Sequence, residues 1–333
     1  MAELHVATAM SLSGRVGLVT GGGTGIGFMI AKAFAANGAK VYITGRRQDV
    51  LEQAATSVTG VPGSIIPIQM DATDEESVKA GAKHIEEIDG KLDILVNNAV
   101  FAGSLRDPDF TTKKLAATDP FEPETVQNWA DMFALNTIAP FFVVRTFQAL
   151  LVKGARSRPQ GTSSVINISS AAAKMDSTSP LSSIAYNVTK AALNKLTLVL
   201  ATNFAGRDIP IRVNALAPGA FASQLISPEV LEAIKTEPMP GLVAPIPAKR
   251  QGNEAEMGVS TVYLAVSDYT NGAILSIDGG LSLIQDDYCG TQDHSRLRVR
   301  RPRSRSMVFF FAQHNNASTN TDYRFNNRQL LHD

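Results

Sequence analysis

Tyr186 and Lys190 stand four residues apart in the run Tyr186-Asn187-Val188-Thr189-Lys190. On a helix that spacing places a phenol and an ammonium on one face. A nearby cation favours the phenolate, which lowers the phenol's pKa and brings a weak acid closer to useful proton exchange at neutral pH. Upstream, Val165-Ile166-Asn167-Ile168-Ser169-Ser170 reads as a strand that ends in hydroxyls, and a hydroxyl so placed can hold a carbonyl oxygen through a transition state. Neither pattern is specific alone, since serines end many strands and roughly one tyrosine in twenty has a lysine four residues on by composition alone. Together they describe proton transfer at an oxygen.

The other chemical signal lies near the N-terminus, where an apolar run is followed by Thr20-Gly21-Gly22-Gly23-Thr24-Gly25-Ile26-Gly27 and then by a helical stretch. Glycines let a backbone turn tightly and approach a pyrophosphate with no Cβ in the way, while the free N–H groups and the positive end of the helix face the anion. The expected dinucleotide contacts are Gly21, Gly23, Thr24, Gly25, Ile26 and Gly27. About 20 residues further on, such folds often carry an acidic residue for the ribose 2′-OH, but this chain has Gly45 followed by Arg46 and Arg47. A guanidinium binds a 2′-phosphate where a carboxylate repels it, so Arg46 points to NADP(H), with NAD(H) as the alternative if the arginines are ordinary solvated residues at a helix start. Asp71-Ala72 and Asn97-Asn98-Ala99 end two further apolar runs, and residues at the carboxyl ends of parallel strands line the ligand crevice. Asp71 suits the adenine amine or a simple turn; Asn97 suits a tie between neighbouring loops.

The elements that must position these groups alternate. Strands are expected at Val16–Thr20, Lys40–Thr44, Ser64–Gln69, Leu92–Val96, Ser164–Ile168, Ile211–Leu216 and Ile274–Ile277, and helices at Gly25–Asn37, Glu75–Ile88, Val126–Leu151, Ile184–Ala205 and Glu254–Val266. Continuous apolar strands separated by amphipathic helices give an α/β fold with one doubly wound, Rossmann-type parallel sheet of about seven strands and helices on both faces. Asn37-Gly38 and Asp89-Gly90 are expected helix stops. Residues 1–284 form the catalytic domain. Its apolar, Pro-rich stretch at about 220–250, with Phe221, Leu225, Ile226, Leu242 and Val243, suits a lid over an apolar substrate.

The glycine loop, Asn-Asn-Ala, Asn136, Ile-Ser-Ser, Tyr-x-x-x-Lys and Pro218-Gly219 occur in the order typical of short-chain dehydrogenase/reductases, and over about residues 12–284 the chain resembles that family, in particular 3-oxoacyl-carrier-protein reductase-like members. The resemblance implies that Tyr186 is the general acid, that Lys190 lowers its pKa and binds the nicotinamide ribose, that Ser170 orients the carbonyl and that Asn136 holds a proton-relay water. It adds Asn98, Ala99, Pro218 and Gly219 to the cofactor site and implies a homodimer or homotetramer through the long helices with Trp129, Phe133, Phe141, Phe142 and Phe147. Three features depart from the pattern: Val100 where the family has glycine, a Ser170-to-Tyr186 gap of 16 residues where 13 is common, and a long Ala102–Glu124 segment suited to a substrate rim.

Composition sets the remaining bounds. Of 333 residues 44% are hydrophobic, and 31 basic residues balance 31 acidic ones, which gives no global reason for nucleic acid or an anionic membrane as partner. One cysteine, Cys289, makes neither an internal disulfide nor a cysteine metal site and suits a reducing, cytoplasmic setting. No metal site, signal peptide or apolar run of about 18 residues is evident. Residues 285–333 hold eight arginines, five aspartates and no lysine or glutamate, leaving 23 bases against 26 acids in the body; this tail reads as solvated and disordered. Two further readings stay open: a nucleotide-binding regulator that kept the fold, and an NAD-dependent alcohol dehydrogenase.

Overall fold

The β-branched runs pair into one parallel sheet. In the computed structural model, which describes residues 5–102, 124–159, 161–175, 183–223, 228–237 and 244–284, the strands are β1 (Val16–Thr20), β2 (Lys40–Gly45), β3 (Ser64–Gln69), β4 (Ile94–Asn97), β5 (Ser163–Ile168), β6 (Ile211–Pro218) and β7 (Ile274–Ile277). Their order is β3-β2-β1-β4-β5-β6-β7 and every pairing is parallel. The helices are α1 (Val6–Ala9), α2 (Gly25–Ala36), α3 (Gln48–Thr56), α4 (Glu75–Asp89), α5 (Val126–Phe133), α6 (Ala139–Arg156), α7 (Ile184–Ala205), α8 (Pro228–Ala233) and α9 (Glu254–Val266). All belong to the first of the two units into which the chain divides, Met1–Tyr288. The 285–333 tail lies outside the described residues.

Alternation along the strands feeds two cores. Val19, Val41, Ile43, Ile94, Val96 and Ile166 face α2, α3 and α9. Val16, Leu18, Tyr42, Leu95, Val165 and Val213 face α4, α6 and α7. The doubly wound architecture expected from the sequence is therefore present. Its helix stops hold as well: Gly90 closes α4 in the left-handed region at φ 68°, and Gly38 follows α2 at φ 97°. Asp74 caps α4 by accepting the Ser77 N–H at 2.6 Å, and Asn253 with Glu256 forms a reciprocal capping box on α9.

The ends of the strands away from the site are fixed by charge. Arg212, buried at the start of β6, donates to the last carbonyls of α9, Leu264 O and Ala265 O, at 3.0 Å each, and Arg15 also donates to Ala265 O at 3.0 Å. Burial lowers the Arg212 guanidinium to about 10. Asp93 is fully buried before β4; it accepts the Val16 N–H at 2.9 Å and pairs with Arg158 and with Lys91.

The structure differs from the sequence reading in local ways. Strand β4 starts at Ile94, because the Leu92 N–H turns to Leu150 O. The stretch expected to be one helix to Leu151 runs on to Arg156 and is interrupted by a π-helical segment at Ala134–Ile138. As a whole, Val126–Arg156 is long and apolar enough by composition to cross a membrane, although Asn136, Arg145 and Lys153 interrupt its apolar runs. Val143, Val144, Phe147, Leu150 and Leu151 instead pack under the sheet. Helices α3 and α8 and the single turn α1 are not among the expected helices.

Removing the Asp93 carboxylate strands Arg158 and a strand N–H. We expect Asp93→Ala to lower unfolding free energy by about 3 kcal/mol, read from urea denaturation; a midpoint equal to the wild type would refute this role.

Candidate active site

The glycine loop leaves β1 and enters α2 in a space that admits no side chains at two points. A Cβ on Gly27 would fall 2.3 Å from Asn98 Nδ2 and 2.4 Å from Gly21 O, and one on Gly21 would fall 3.0 Å from Ala99 Cα. The loop is held from β4. Asn98 Nδ2 donates to Thr20 O at 2.9 Å and Gly21 O at 3.1 Å, while Thr20 Oγ1 accepts the N–H groups of Asn98 and Ala99 at 2.9 and 3.0 Å. Thr24 is the N-cap of α2 but makes no side-chain capping bond, so the helix start is left for an anion. The cradle and the open helix end fit a dinucleotide pyrophosphate. Sequence reasoning overlooked Thr20, although a hydroxyl immediately before the glycines was the available signal.

Tyr186 and Lys190 share the first turns of α7, with Lys190 Nζ 5.7 Å from the Tyr186 ring centroid. Of the two serines after β5, Ser169 turns inward and donates to Lys190 O at 3.3 Å, whereas the Ser170 hydroxyl is the one that acts on the Tyr186 phenol, favouring its ionised form. Ser170 also caps the short helix Ala171–Lys174 by accepting the Ala172 N–H at 3.1 Å. The expectation that Lys190 lowers the phenol's pKa is corrected here for the ligand-free chain. Burial pushes the Tyr186 phenol up, with the Ser170 hydroxyl pulling in the other direction. Lys190 is 3% exposed and aims its ammonium at Ile168 O, 2.8 Å away; burial lowers it to about 7. The amine therefore faces a carbonyl, and its burial favours the neutral form over the cation that would stabilise a phenolate.

Asn136 lies buried in the π segment. Its amide is engaged on both sides: Oδ1 accepts the Phe101 N–H at 2.9 Å, and Nδ2 donates to Phe101 O at 2.9 Å and to Thr189 Oγ1 at 3.2 Å. Thr189 Oγ1 in turn donates to Tyr186 O at 2.8 Å, and Thr137 donates to Thr189 O at 3.0 Å. Thr189 therefore joins Asn136 to the turn that carries Tyr186, a link that the motif alone does not reveal. Asn97 donates to Asn167 Oδ1 at 2.8 Å and Asn167 to Thr197 Oγ1 at 2.9 Å, so Asn97 is architectural but ties strands and a helix together rather than the neighbouring loops expected.

The outer contacts are simpler. Arg46 and Arg47 are exposed at the end of β2, and a Cβ at Gly45 would meet only Leu51, at 3.6 Å. Asp71 Oδ1 accepts both the N–H and the hydroxyl of Thr73, at 2.9 and 2.7 Å, which makes it a turn former. Ala72 packs on the α4 side of the sheet, and Ile26 on the α2 side. Pro218 ends β6, and a Cβ on Gly219 would lie 2.7 Å from Asp278 Cα. Val100 fits without left-handed backbone: among the described residues only Asp208 and Lys249 are non-glycines with positive φ. Phe221, read as a substrate-facing lid residue, is 2% exposed in the core with its ring against Gly252, where no Cβ would fit. Leu225, Ile226, Leu242 and Val243 lie outside the described residues, as does most of the Ala102–Glu124 segment.

Fold and site together define an oxidoreductase built on a dinucleotide-binding sheet. Residues 15–232 match the model of the short chain dehydrogenase family. A short-chain dehydrogenase/reductase VdtF of Byssochlamys spectabilis is 33% identical over 83% of this chain and 95% of its own length. The rhamnolipids biosynthesis 3-oxoacyl-[acyl-carrier-protein] reductase of Pseudomonas aeruginosa is 33% identical over 82% of this chain and 98% of its own. Among solved structures, the Pseudomonas aeruginosa RhlG/NADP active-site complex superposes with a TM-score of 0.68 at 31% identity, covering 83% of this chain and 99% of that one. The chain belongs to the short-chain dehydrogenase family, whose cofactor is a nicotinamide dinucleotide, NAD(P)(H).

The lowered Lys190 has a consequence for stability. The folded amine titrates near 7 and the unfolded one near the ordinary 10.5, so between these values the unfolded state binds more protons and the group's contribution rises with pH. The stability of the ligand-free wild type relative to Lys190→Met should increase from pH 7 to pH 10 in denaturant titrations; a difference that stays flat or falls would show the amine is not held in this way.

Proposed function

We propose that the chain is an NADP(H)-dependent reductase of apolar ketones of the 3-oxoacyl type, working by proton transfer from Tyr186. The observation that carries this reading is the grouping of Tyr186 and Lys190 on one face of α7, with the Lys190 amine 5.7 Å from the centroid of the phenol ring and the Ser170 hydroxyl at the end of β5 favouring the ionised phenol. It is supported by the relationship to a 3-oxoacyl-[acyl-carrier-protein] reductase and to an NADP complex. The nicotinamide, when bound, supplies hydride to the carbonyl carbon. Ser170 holds the carbonyl oxygen, and Tyr186 gives that oxygen its phenolic proton. Lys190 binds the nicotinamide ribose.

Asn136 enters chiefly by fixing Phe101 and Thr189; the relay water implied by the family resemblance would donate to the second lone pair of its Oδ1. Gly21, Gly23, Thr24, Gly25, Ile26 and Gly27 hold the pyrophosphate, Arg46 the 2′-phosphate, Asp71, Ala72, Asn98 and Ala99 the adenosine side, and Pro218 and Gly219 the nicotinamide. The partly exposed Phe141, Phe142, Val188, Leu198 and Val199 on α6 and α7 suit pairing with a second copy, in a homodimer or homotetramer working in the cytoplasm.

Tyr186→Phe should reduce kcat by about 10³-fold while NADPH affinity changes less than about twofold; full activity on a ketone panel would remove the mechanism. Arg46→Ala should weaken NADPH about tenfold and leave NADH unchanged, measured by cofactor fluorescence. A wild type that binds NADH more tightly, with Arg46→Ala altering neither affinity, would defeat the 2′-phosphate assignment.

A further inference from the structure

Helix α7 begins at the point where the 16-residue gap between Ser170 and Tyr186 ends. The first N–H groups of any helix need partners outside it. Ser183, the buried N-cap of α7, accepts the Tyr186 N–H at 3.4 Å, a long bond that fixes little. The next donor is held differently. Glu124 Oε1 accepts the Ile184 N–H at 2.9 Å, and Glu124 Oε2 accepts the Ser183 hydroxyl at 3.2 Å. One carboxylate therefore covers the start of the helix two residues before Tyr186, at the end where the helix dipole favours an anion.

Glu124 is equally tied to the neighbouring helix. It immediately precedes Thr125, the N-cap of α5, whose Oγ1 accepts the Asn128 N–H at 3.1 Å. The α5–π–α6 run that starts there carries Asn136. Further in, the same two helices meet through Asn136 and Thr137 on Thr189. Tyr186 thus sits between two clamps, Glu124 on its N-terminal side and Thr189 on its C-terminal side. Glu124 closes the long segment after Ala102, and Ser183 closes the lengthened loop after Ser170. The carboxylate joins the ends of both departures from the family's spacing.

We propose that Glu124 is a positioning residue for Tyr186, fixing the first turn of α7 so that the phenol stays aimed at the Ser170 hydroxyl. This rests on the reductase reading for its effect on turnover, and on geometry alone for its effect on the helix. A small misplacement of a reacting group is enough to reduce rate strongly.

The test compares the full-length wild type with Glu124→Ala, Glu124→Gln and Glu124→Asp by hydrogen exchange and by steady-state ketone reduction. In Glu124→Ala the amides of Ile184 to Tyr186 should exchange about tenfold faster, and kcat should fall about tenfold with the KM for NADPH within about twofold. Glu124→Gln keeps an acceptor for the Ile184 N–H and should restore both. Glu124→Asp, one methylene shorter, should shift both in the same direction by less, and it carries the test should Glu124→Ala fail to fold. Unchanged exchange, retained kcat beside faster exchange, a loss of thermal stability alone, or Glu124→Gln no better than Glu124→Ala would each overturn the proposal. A wild type inactive on every ketone would instead remove the reductase reading, with the exchange data still deciding whether Glu124 holds the helix.

Discussion

The hydrogen bonds that close β1 onto β4 set the geometry of the cofactor side. Thr20 Oγ1 gathers two N–H groups from Asn98 and Ala99, and Asn98 Nδ2 returns bonds to Thr20 O and Gly21 O. The glycine loop is thereby pinned to the adjacent strand before α2 begins. Gly27 must then pass within contact of Gly21 O, which excludes any side chain there. A loop that made its own bonds to water would be free to adjust; this one is fixed by buried groups, and leaving any of them unpaired is costly.

On the substrate side the controlling factor is desolvation. Lys190 is enclosed and Tyr186 partly so, and in each case burial is the largest influence, raising the phenol and lowering the amine towards its neutral form. The two groups thus shift toward uncharged states in the ligand-free chain. Ser170 counters this at the phenol, which gives that hydroxyl an electrostatic as well as an orienting effect. Separation of the two serines is sharp: consecutive residues at a strand end point in opposite directions, so Ser169 supports the Lys190 backbone and Ser170 reaches the phenol.

Much of this was legible from sequence because buried parallel strands leave continuous apolar runs. Val16–Thr20, Ser64–Gln69 and Ile274–Ile277 have the same limits in pattern and structure, as do the helices Ile184–Ala205 and Glu254–Val266. The glycine loop and the Tyr-Lys spacing were equally plain, since each is a local requirement. What escaped depends on distant partners. Phe221 has the composition of a lid residue, and only its fit against Gly252 reveals a core role. Spacing shows that Lys190 is near the phenol but not that its ammonium faces Ile168 O in the ligand-free chain. Thr189 and Glu124 owe their roles to residues more than fifty positions away.

The π segment at Ala134–Ile138 bears on how this helix tolerates insertions and deletions. A residue added to or taken from a helix rotates everything beyond it by about 100°. With the wider turn in place, Trp129 and Phe133 stack on each other in α5 while Val143 and Phe147 of α6 lie under the sheet. Shortening the segment by one residue, without changing any apolar side chain, would swing these two surfaces out of register and carry Asn136 away from Phe101. Length at this point is thus as strictly determined as side-chain identity.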